Sequence, residues 1–183
     1  MSEKRYATEF KVIEISLYSI NNESKPYVNL AGNMCKQFQY YEDIFWPSYA
    51  ATMVIEDSAE NIISTMPIQG FEKVVMEFED VMGEQYSYTF RVWTVSNRIV
   101  KERRNTYTLG LISEAGLINE GVRINTMVKG NTSAVVKEIL SKKLNIPVGT
   151  IDAEPSATSI KILPTKKTPF TVIRSLCPRT VSE

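Results

Sequence analysis

The residues able to do chemistry are few, and their spacing argues against most reactions. The acidic pairs Glu42-Asp43, Glu56-Asp57 and Glu79-Asp80 are the natural candidates for general acid and base work. Each pair is made of chain neighbours at the end of an alternating stretch. Successive side chains there point to opposite faces, so the two carboxylates do not converge on one bond. Solvated carboxylates beside turns are the expected reading. Gly130-Asn131-Thr132-Ser133 precedes an apolar helical pattern and resembles an anion site at a helix start, but no lysine follows and no second glycine supports it. Helix capping accounts for these residues better. The same Asn131-Thr132-Ser133 is a glycosylation sequon, which carries weight only in an exported protein. Arg103 and Arg104, within the polar run KERRN at 101 to 105, read as a basic turn exposed to solvent.

Composition narrows the choice further. The 183-residue chain has no histidine, which removes the commonest general base and the commonest metal ligand together. Cys35 and Cys177 match no zinc spacing and no disulfide framework, and are expected as reduced thiols. No catalysis, no metal and no cofactor is therefore expected. Twenty-one basic and 21 acidic residues cancel, so no overall field would hold the protein on nucleic acid or on an anionic membrane. The N-terminus MSEKRYATEFK has no apolar signal core, and no apolar run reaches the roughly 18 residues of a membrane span.

The elements that must position these side chains read mostly at a period of two up to about residue 112. Ile13, Ile15 and Leu17 share one side of a strand from Phe10 to Ile20. Val74, Met76 and Phe78 share one face of a strand from Phe71 to Asp80, and Tyr86, Tyr88, Phe90 and Val92 one face of the next, Gln85 to Asn97. Met82-Gly83-Glu84 turns the chain between them. A third strand, Thr106 to Ile112, follows KERRN and completes a meander. Lys36 to Asp43 and Tyr49 to Asp57 form a further hairpin around Pro47-Ser48, where a missing amide donor is tolerated. Only one short helix, Ala59 to Thr65, interrupts the series. Six strands with short polar turns predict a mainly β fold, an antiparallel barrel in preference to a sandwich.

Beyond residue 112 the period changes. A short helix is predicted over Ser113–Glu120, a brief strand over Val122–Met127, and a longer helix after Gly130 with Val135, Val136, Ile139, Leu140 and Leu144 on one stripe. Ser159 to Leu163 reads as a strand. Thr168-Pro169 opens a last helix that carries Phe170, Ile173 and Leu176 and has no evident partner.

The aromatic run YYEDIFWPSY at 40 to 49 lies at the tip of the second hairpin. Its rings suit a core, a substrate platform or a surface kept for another chain, and composition alone leaves all three open.

The order of QFQYYEDIF, ATMVIEDS, ISTMPIQGFEKVVMEFED, YSYTFRVWTV and YTLGLISEAGLINEG resembles the first domain of baseplate hub proteins from contractile-tailed bacteriophages, relatives of type VI secretion spike proteins. MVKGNTSAVVKEILSKKLNIP and KKTPFTVIRSLCPRTVSE are similar to the region after that domain in hub proteins, so the likeness covers nearly the whole chain. It implies a flexible N-terminus at 1–8, a tail-tube-like β-barrel at 9–128 and the start of a second α/β region at 129–183, truncated because hub proteins are longer. It also implies a virion protein made in the host cytoplasm. Three copies would form a pseudo-sixfold ring between a sixfold tail tube and a trimeric central spike. The implied partners are further copies of the chain, the tube protein, the spike protein and other baseplate proteins, with no specific nucleic-acid binding and no membrane insertion. On this view Tyr40, Tyr41, Ile44, Phe45, Trp46, Tyr49, Arg103 and Arg104 are the expected subunit-interface residues; the competing reading is that the rings close the barrel's own end.

A second resemblance lies in GNTSAVVKEILSKKLNIPVGTI, which is similar to the lysin-motif modules that bind peptidoglycan. That motif needs a second helix before its returning strand, and the sequence supplies none cleanly.

Overall fold

A computed structural model of the protein describes residues 11–58, 62–101 and 104–180. The expected flexible stretch at 1–8 and the expected interface residue Arg103 lie outside them. The chain divides into two compact units, one through Glu114 and one from Ala115.

The first unit contains β1 (Lys11–Leu17), β2 (Val28–Asn29), β3 (Cys35–Tyr41), β4 (Ala50–Asp57), α1 (Ile62–Thr65), β5 (Lys73–Glu79), β6 (Gln85–Lys101) and β7 (Arg104–Ser113). The strands make one antiparallel sheet in the order β2-β1-β5-β6-β7-β4-β3. It has seven strands where the sequence predicts six. The additional one, β2, is two residues long, too short to show any period. Alternation builds the rest: in β4 the side chains of Ala51, Met53, Ile55 and Asp57 are buried while their neighbours are half exposed, and in β7 Tyr107, Leu109 and Leu111 face the same core.

The sheet curls into a half-barrel. Phe38 on the edge strand β3 meets Phe90 on β6 edge-on at 6.5 Å between ring centres, although β4 and β7 lie between those strands in the sheet. The segment after β2 bridges the two margins at one place: the Leu30 amide donates to Ile15 of β1 at 2.7 Å, and the Cys35 amide of β3 donates to Leu30 at 2.9 Å. Leu30, Ile62 and Met66 complete the core.

β6 serves two partners in turn. Gln85 to Arg91 pair with β5, and Phe90 to Lys101 pair with β7, with bulges between Val92 and Thr94 and between Ser96 and Ile99. Past the point where Phe71 and Glu72 exchange backbone hydrogen bonds with Val92, β6 has β7 on one side and no strand among the described residues on the other. The outer edge of β3 is likewise without a partner strand among the described residues.

The second unit holds α2 (Glu114–Gly121, from its second residue), β8 (Val128–Asn131), α3 (Thr132–Leu144), β9 (Ser159–Ile162) and α4 (Pro169–Leu176). β8 and β9 pair antiparallel. The brief strand predicted at Val122–Met127 is not there; the chain bridges only at Ile124, to Lys167, and the strand comes later. Asn131 caps α3 by accepting the Ser133 amide at 3.1 Å, and Asn145 ends it in the left-handed conformation at φ 57°. Thr168 caps α4 with Pro169 in its first turn. That last helix does have a partner: its Val172 and Leu176 are buried with Val135 and Ile139 of α3 and with Ile124. Between α3 and β9 there is a single 3-10 turn, Val148–Thr150, where a lysin motif would have a second helix.

Candidate assembly surface

The aromatic run at 40 to 49 is split by the β3–β4 turn into rings that enter the half-barrel and rings that leave it. Tyr40 is the last inward residue of β3, and Tyr49 precedes β4. Their rings lie 6.3 Å apart and both contact Tyr88 at 5.1 Å and Phe90 at 6.3 and 5.3 Å respectively. Phe78 continues the cluster, stacking on Tyr88 at 5.6 Å and on Tyr86 at 5.5 Å. The Tyr49 hydroxyl donates to the Thr89 carbonyl at 3.0 Å, and the Tyr40 hydroxyl donates to Glu42 at 2.8 Å. Burial, reinforced by Tyr88 and the Glu42 carboxylate, pushes the Tyr40 phenol well above the ordinary tyrosine range. Burial likewise raises Tyr49, with Tyr88, Glu114 and Glu42 adding to it. These two rings are half-buried against the chain's own core.

The others face solvent. Ile44, Phe45 and Trp46 are 93%, 82% and 65% exposed, and Tyr41 is half exposed. The turn that presents them is ordered by Asp43: its carboxylate accepts the Phe45 amide at 2.8 Å and its carbonyl accepts the Trp46 amide at 2.9 Å. Tyr41, Glu42, Asp43, Trp46 and Ser48 line an open groove of about 480 Å³ beside it. Arg104 is elsewhere. The register of β4 on β7 runs from Ala50 opposite Ile112 to Asp57 opposite Asn105, so Arg104 lies at the far end of these strands from Trp46. It stands 3.7 Å from Glu56, which Lys36 also approaches at 3.6 Å.

No family model and no curated protein matches the chain. Among solved structures, the tail protein from Neisseria meningitidis MC58 matches with a TM-score of 0.55 at 13% identity, over 90% of this chain and 43% of that one. The chain shares the fold of a tail protein. An E. coli component of the type VI secretion system, described as structurally similar to T4 bacteriophage tail proteins, matches with a TM-score of 0.48 at 10% identity, over 92% of this chain and 40% of that one. The chain thus spans about two fifths of the length of each.

Within this tail-protein fold the structure adds a surface that the sequence does not announce. Trp93, Val95, Ile99 and Val100, on the part of β6 that has β7 alone as a neighbour among the described residues, are 50%, 40%, 55% and 67% exposed. The sequence pattern ends at Asn97, so it carries no signal for Ile99 and Val100. Two polar arrangements, one buried and one at the surface, support the sheet beside that strand. The Glu72 carboxylate, 2% exposed, accepts the Gln69 and Gly70 amides at 2.7 and 2.9 Å and so folds the turn in PIQGFEKV. Arg91 bonds to Glu23 at 2.5 and 3.2 Å and to Glu114 at 2.9 Å, tying the β1–β2 loop and the end of β7 to the sheet. The Arg91 bond holds the Glu23 carboxyl below its usual range. Nothing in this arrangement joins a nucleophile to a base; what it offers is unpaired strand edge and exposed apolar side chains.

Proposed function

We propose that the chain is a structural subunit of a phage-type tail baseplate hub, joining sister copies into a ring between a sixfold tail tube and a trimeric central spike. The observation that carries this reading is the pair of open edges, β3 and the β6 stretch from Trp93 to Lys101, each with exposed apolar side chains beside it. Unpaired amides and carbonyls on an edge are a template for strand addition by a neighbour, and a long exposed edge is ordinarily a liability unless a partner covers it. Ile44, Phe45, Trp46 and Tyr41 extend the apolar surface at the tip of β3. Fully buried against a neighbour, Phe45 and Trp46 would each remove roughly 150 Å² from water and Tyr41 about 100 Å², enough to anchor an interface. The partners on this reading are further copies of the chain, the tube protein, the spike protein and other baseplate proteins.

The test is to purify the chain with candidate tube and spike proteins, measure the mass of the complex and image it. A closed ring with this chain around the tail axis is expected. Val95→Lys with Ile99→Lys should leave the thermal midpoint within a few degrees and abolish the ring. A peripheral position for the chain, or a ring indifferent to those edge substitutions, overturns the reading.

A further inference from the structure

The zero net charge of the chain is unevenly divided. The second unit holds ten of the 21 basic residues and five of the 21 acidic ones, and the first unit holds the remaining eleven and sixteen. An excess of five positive charges on one unit thus answers an excess of five negative charges on the other. Part of the positive excess surrounds a groove. The segment leading into β8, β8 itself and α3 enclose an open cavity of about 250 Å³. Its floor is apolar, built from the buried Ile124, Val135 and Ile139, and Met127, 55% exposed, lines its wall. Lys129, Lys142 and Lys143 line it too, whereas the acid of the lining, Glu138, is already held by Lys142 at 2.9 Å. Lys129 also stands opposite Lys161 in the β8–β9 ladder, where like charges repel. A carboxylate entering the groove relieves that repulsion. The groove therefore suits an apolar side chain with an acid next to it.

The β5–β6 turn of the first unit has that form. Met82 is 84% exposed on it. Asp80 orders the turn: its carboxylate accepts the Met82 and Glu84 amides at 2.8 and 3.0 Å, and its carbonyl accepts the Gly83 amide at 3.2 Å. Glu84 is exposed beside Met82, and Glu79 and Asp80 are half exposed, with Lys11 opposite Glu79 as a counter-charge. The negative field is felt at Tyr86, whose phenol is raised first by the charge of Asp80, with Glu84 adding to it. An ordered turn loses little freedom on docking, and methionine, unbranched and polarizable, adapts to an irregular apolar floor.

We propose that the second unit of one copy receives the β5–β6 turn of another copy, with Met82 on the apolar floor of the α3–β8 groove and Asp80 and Glu84 against Lys129, Lys142 and Lys143. The turn is acidic and the groove basic, so neither docks on its like, and the contact joins unlike surfaces of two copies. Neither surface includes a residue of the β3 edge or of the β6 stretch from Trp93 to Lys101. The contact therefore does not rest on the ring.

Sedimentation of the full chain carrying Val95→Lys with Ile99→Lys tests it, because those substitutions disable the lateral edge and leave the turn and the groove intact. This parent protein should self-associate at about 0.05 M salt, and the association should weaken by about tenfold or more at about 0.5 M. Adding Met82→Lys, or Lys129→Glu with Lys143→Glu, should each weaken it by about tenfold or more with the thermal midpoint within a few degrees. The lysine pair is chosen to spare the Lys142–Glu138 bond. A mixture of those two proteins should form a complex again, because one supplies an intact groove and the other an intact turn. A parent that is monomeric at low salt overturns the proposal, and an acidic chain other than this one is then the occupant; a mixture that stays dissociated overturns it too. Should a variant fail to fold, the salt response of the parent decides: association indifferent to salt overturns the contact. Each of these results leaves the ring to its own test.

Discussion

Replacing Glu72 by alanine should cost the first unit about 2–4 kcal/mol. The side chain is 2% exposed and its two carboxylate oxygens accept the amides of Gln69 and Gly70 at 2.7 and 2.9 Å. Hydrogen bonds to a charged group contribute roughly 1.5–3 kcal/mol each, and the variant leaves both amides without their acceptor, while sparing the chain the desolvation of a carboxylate. The loop cannot relax cheaply. Phe71 is held at φ 72° between Gly70 and Glu72, and its amide donates to Val92 at 2.7 Å while the Val92 amide donates back to Glu72 at 2.9 Å. Opening the loop would release one strained residue, on the order of 1 kcal/mol, but would strip the last backbone bonds from that margin of β6. Urea unfolding read by tryptophan fluorescence reports on this unit alone, since both tryptophans of the chain, Trp46 and Trp93, lie in it. The thermal midpoint should fall by roughly 8–32 °C, at about 4–8 °C for each kcal/mol in a unit of this size. Glu72→Gln should also lose stability, because its amide group meets one of the two donors with a donor of its own. A loss under about 1 kcal/mol for Glu72→Ala would refute the claim that this carboxylate folds the turn.

Gly110 faces Thr94 at the β6 bulge, where an added Cβ would lie 2.4 Å from the threonine hydroxyl oxygen; Gly110→Ala should cost about 1–3 kcal/mol, and Thr94→Ala in the same chain should recover much of it in urea unfolding. The Glu23 carboxyl is held low in the folded state, chiefly by Arg91. Its stabilisation is therefore present above the unfolded value of about 4.3 and is lost as pH falls through the lower folded value, so the unfolding curves of wild type and Glu23→Gln should converge in acid. The increment is small because Glu23 is partly exposed. The Tyr40 phenol is held high, first by burial, so the sign is opposite: its contribution is intact below the unfolded value of about 10 and is lost as pH rises above it. The part of the tyrosinate absorbance that Tyr40→Phe removes should rise together with the loss of folded fluorescence, and Tyr40→Phe should withstand higher pH. Separate titration of that phenol in a still-folded protein would contradict its placement.

Alternation exposes β4, β5 and β7 plainly in the sequence because their buried faces keep step for the whole strand: Val74 and Met76, or Tyr107, Leu109 and Leu111. The period fails where geometry interrupts it. The bulges after Val92 and Ser96 shift the register of β6, so the sequence pattern stops at Asn97 while the strand runs on to Lys101. The YYEDIFWPSY run is visible as an aromatic cluster, but its division is set by a turn that breaks the alternation: Tyr40 and Tyr49 enter the core while Tyr41 and Trp46 do not. Likewise Asn131 reads as a helix cap from its neighbours, whereas its bond to the distant Ser156 hydroxyl, at 2.9 Å, leaves no trace in local sequence. The role of Glu72 is invisible for a related reason, since PIQGFEKV discloses neither the burial of the carboxylate nor the direction it points.

The strand order of the first unit also bears on how the chain comes off the ribosome. β1 joins the sheet through β5, with Leu17 opposite Val74, and the β3–β4 hairpin joins through β7, with Asp57 opposite Asn105. The local meander β5–β6–β7 is the centre of the sheet to which both attach, and within this unit it is translated last. The strands before it must emerge and wait with their apolar faces uncovered until Ser113 clears the exit tunnel. Synthesis of this unit is thus a period of exposure, during which a holding chaperone has most to protect.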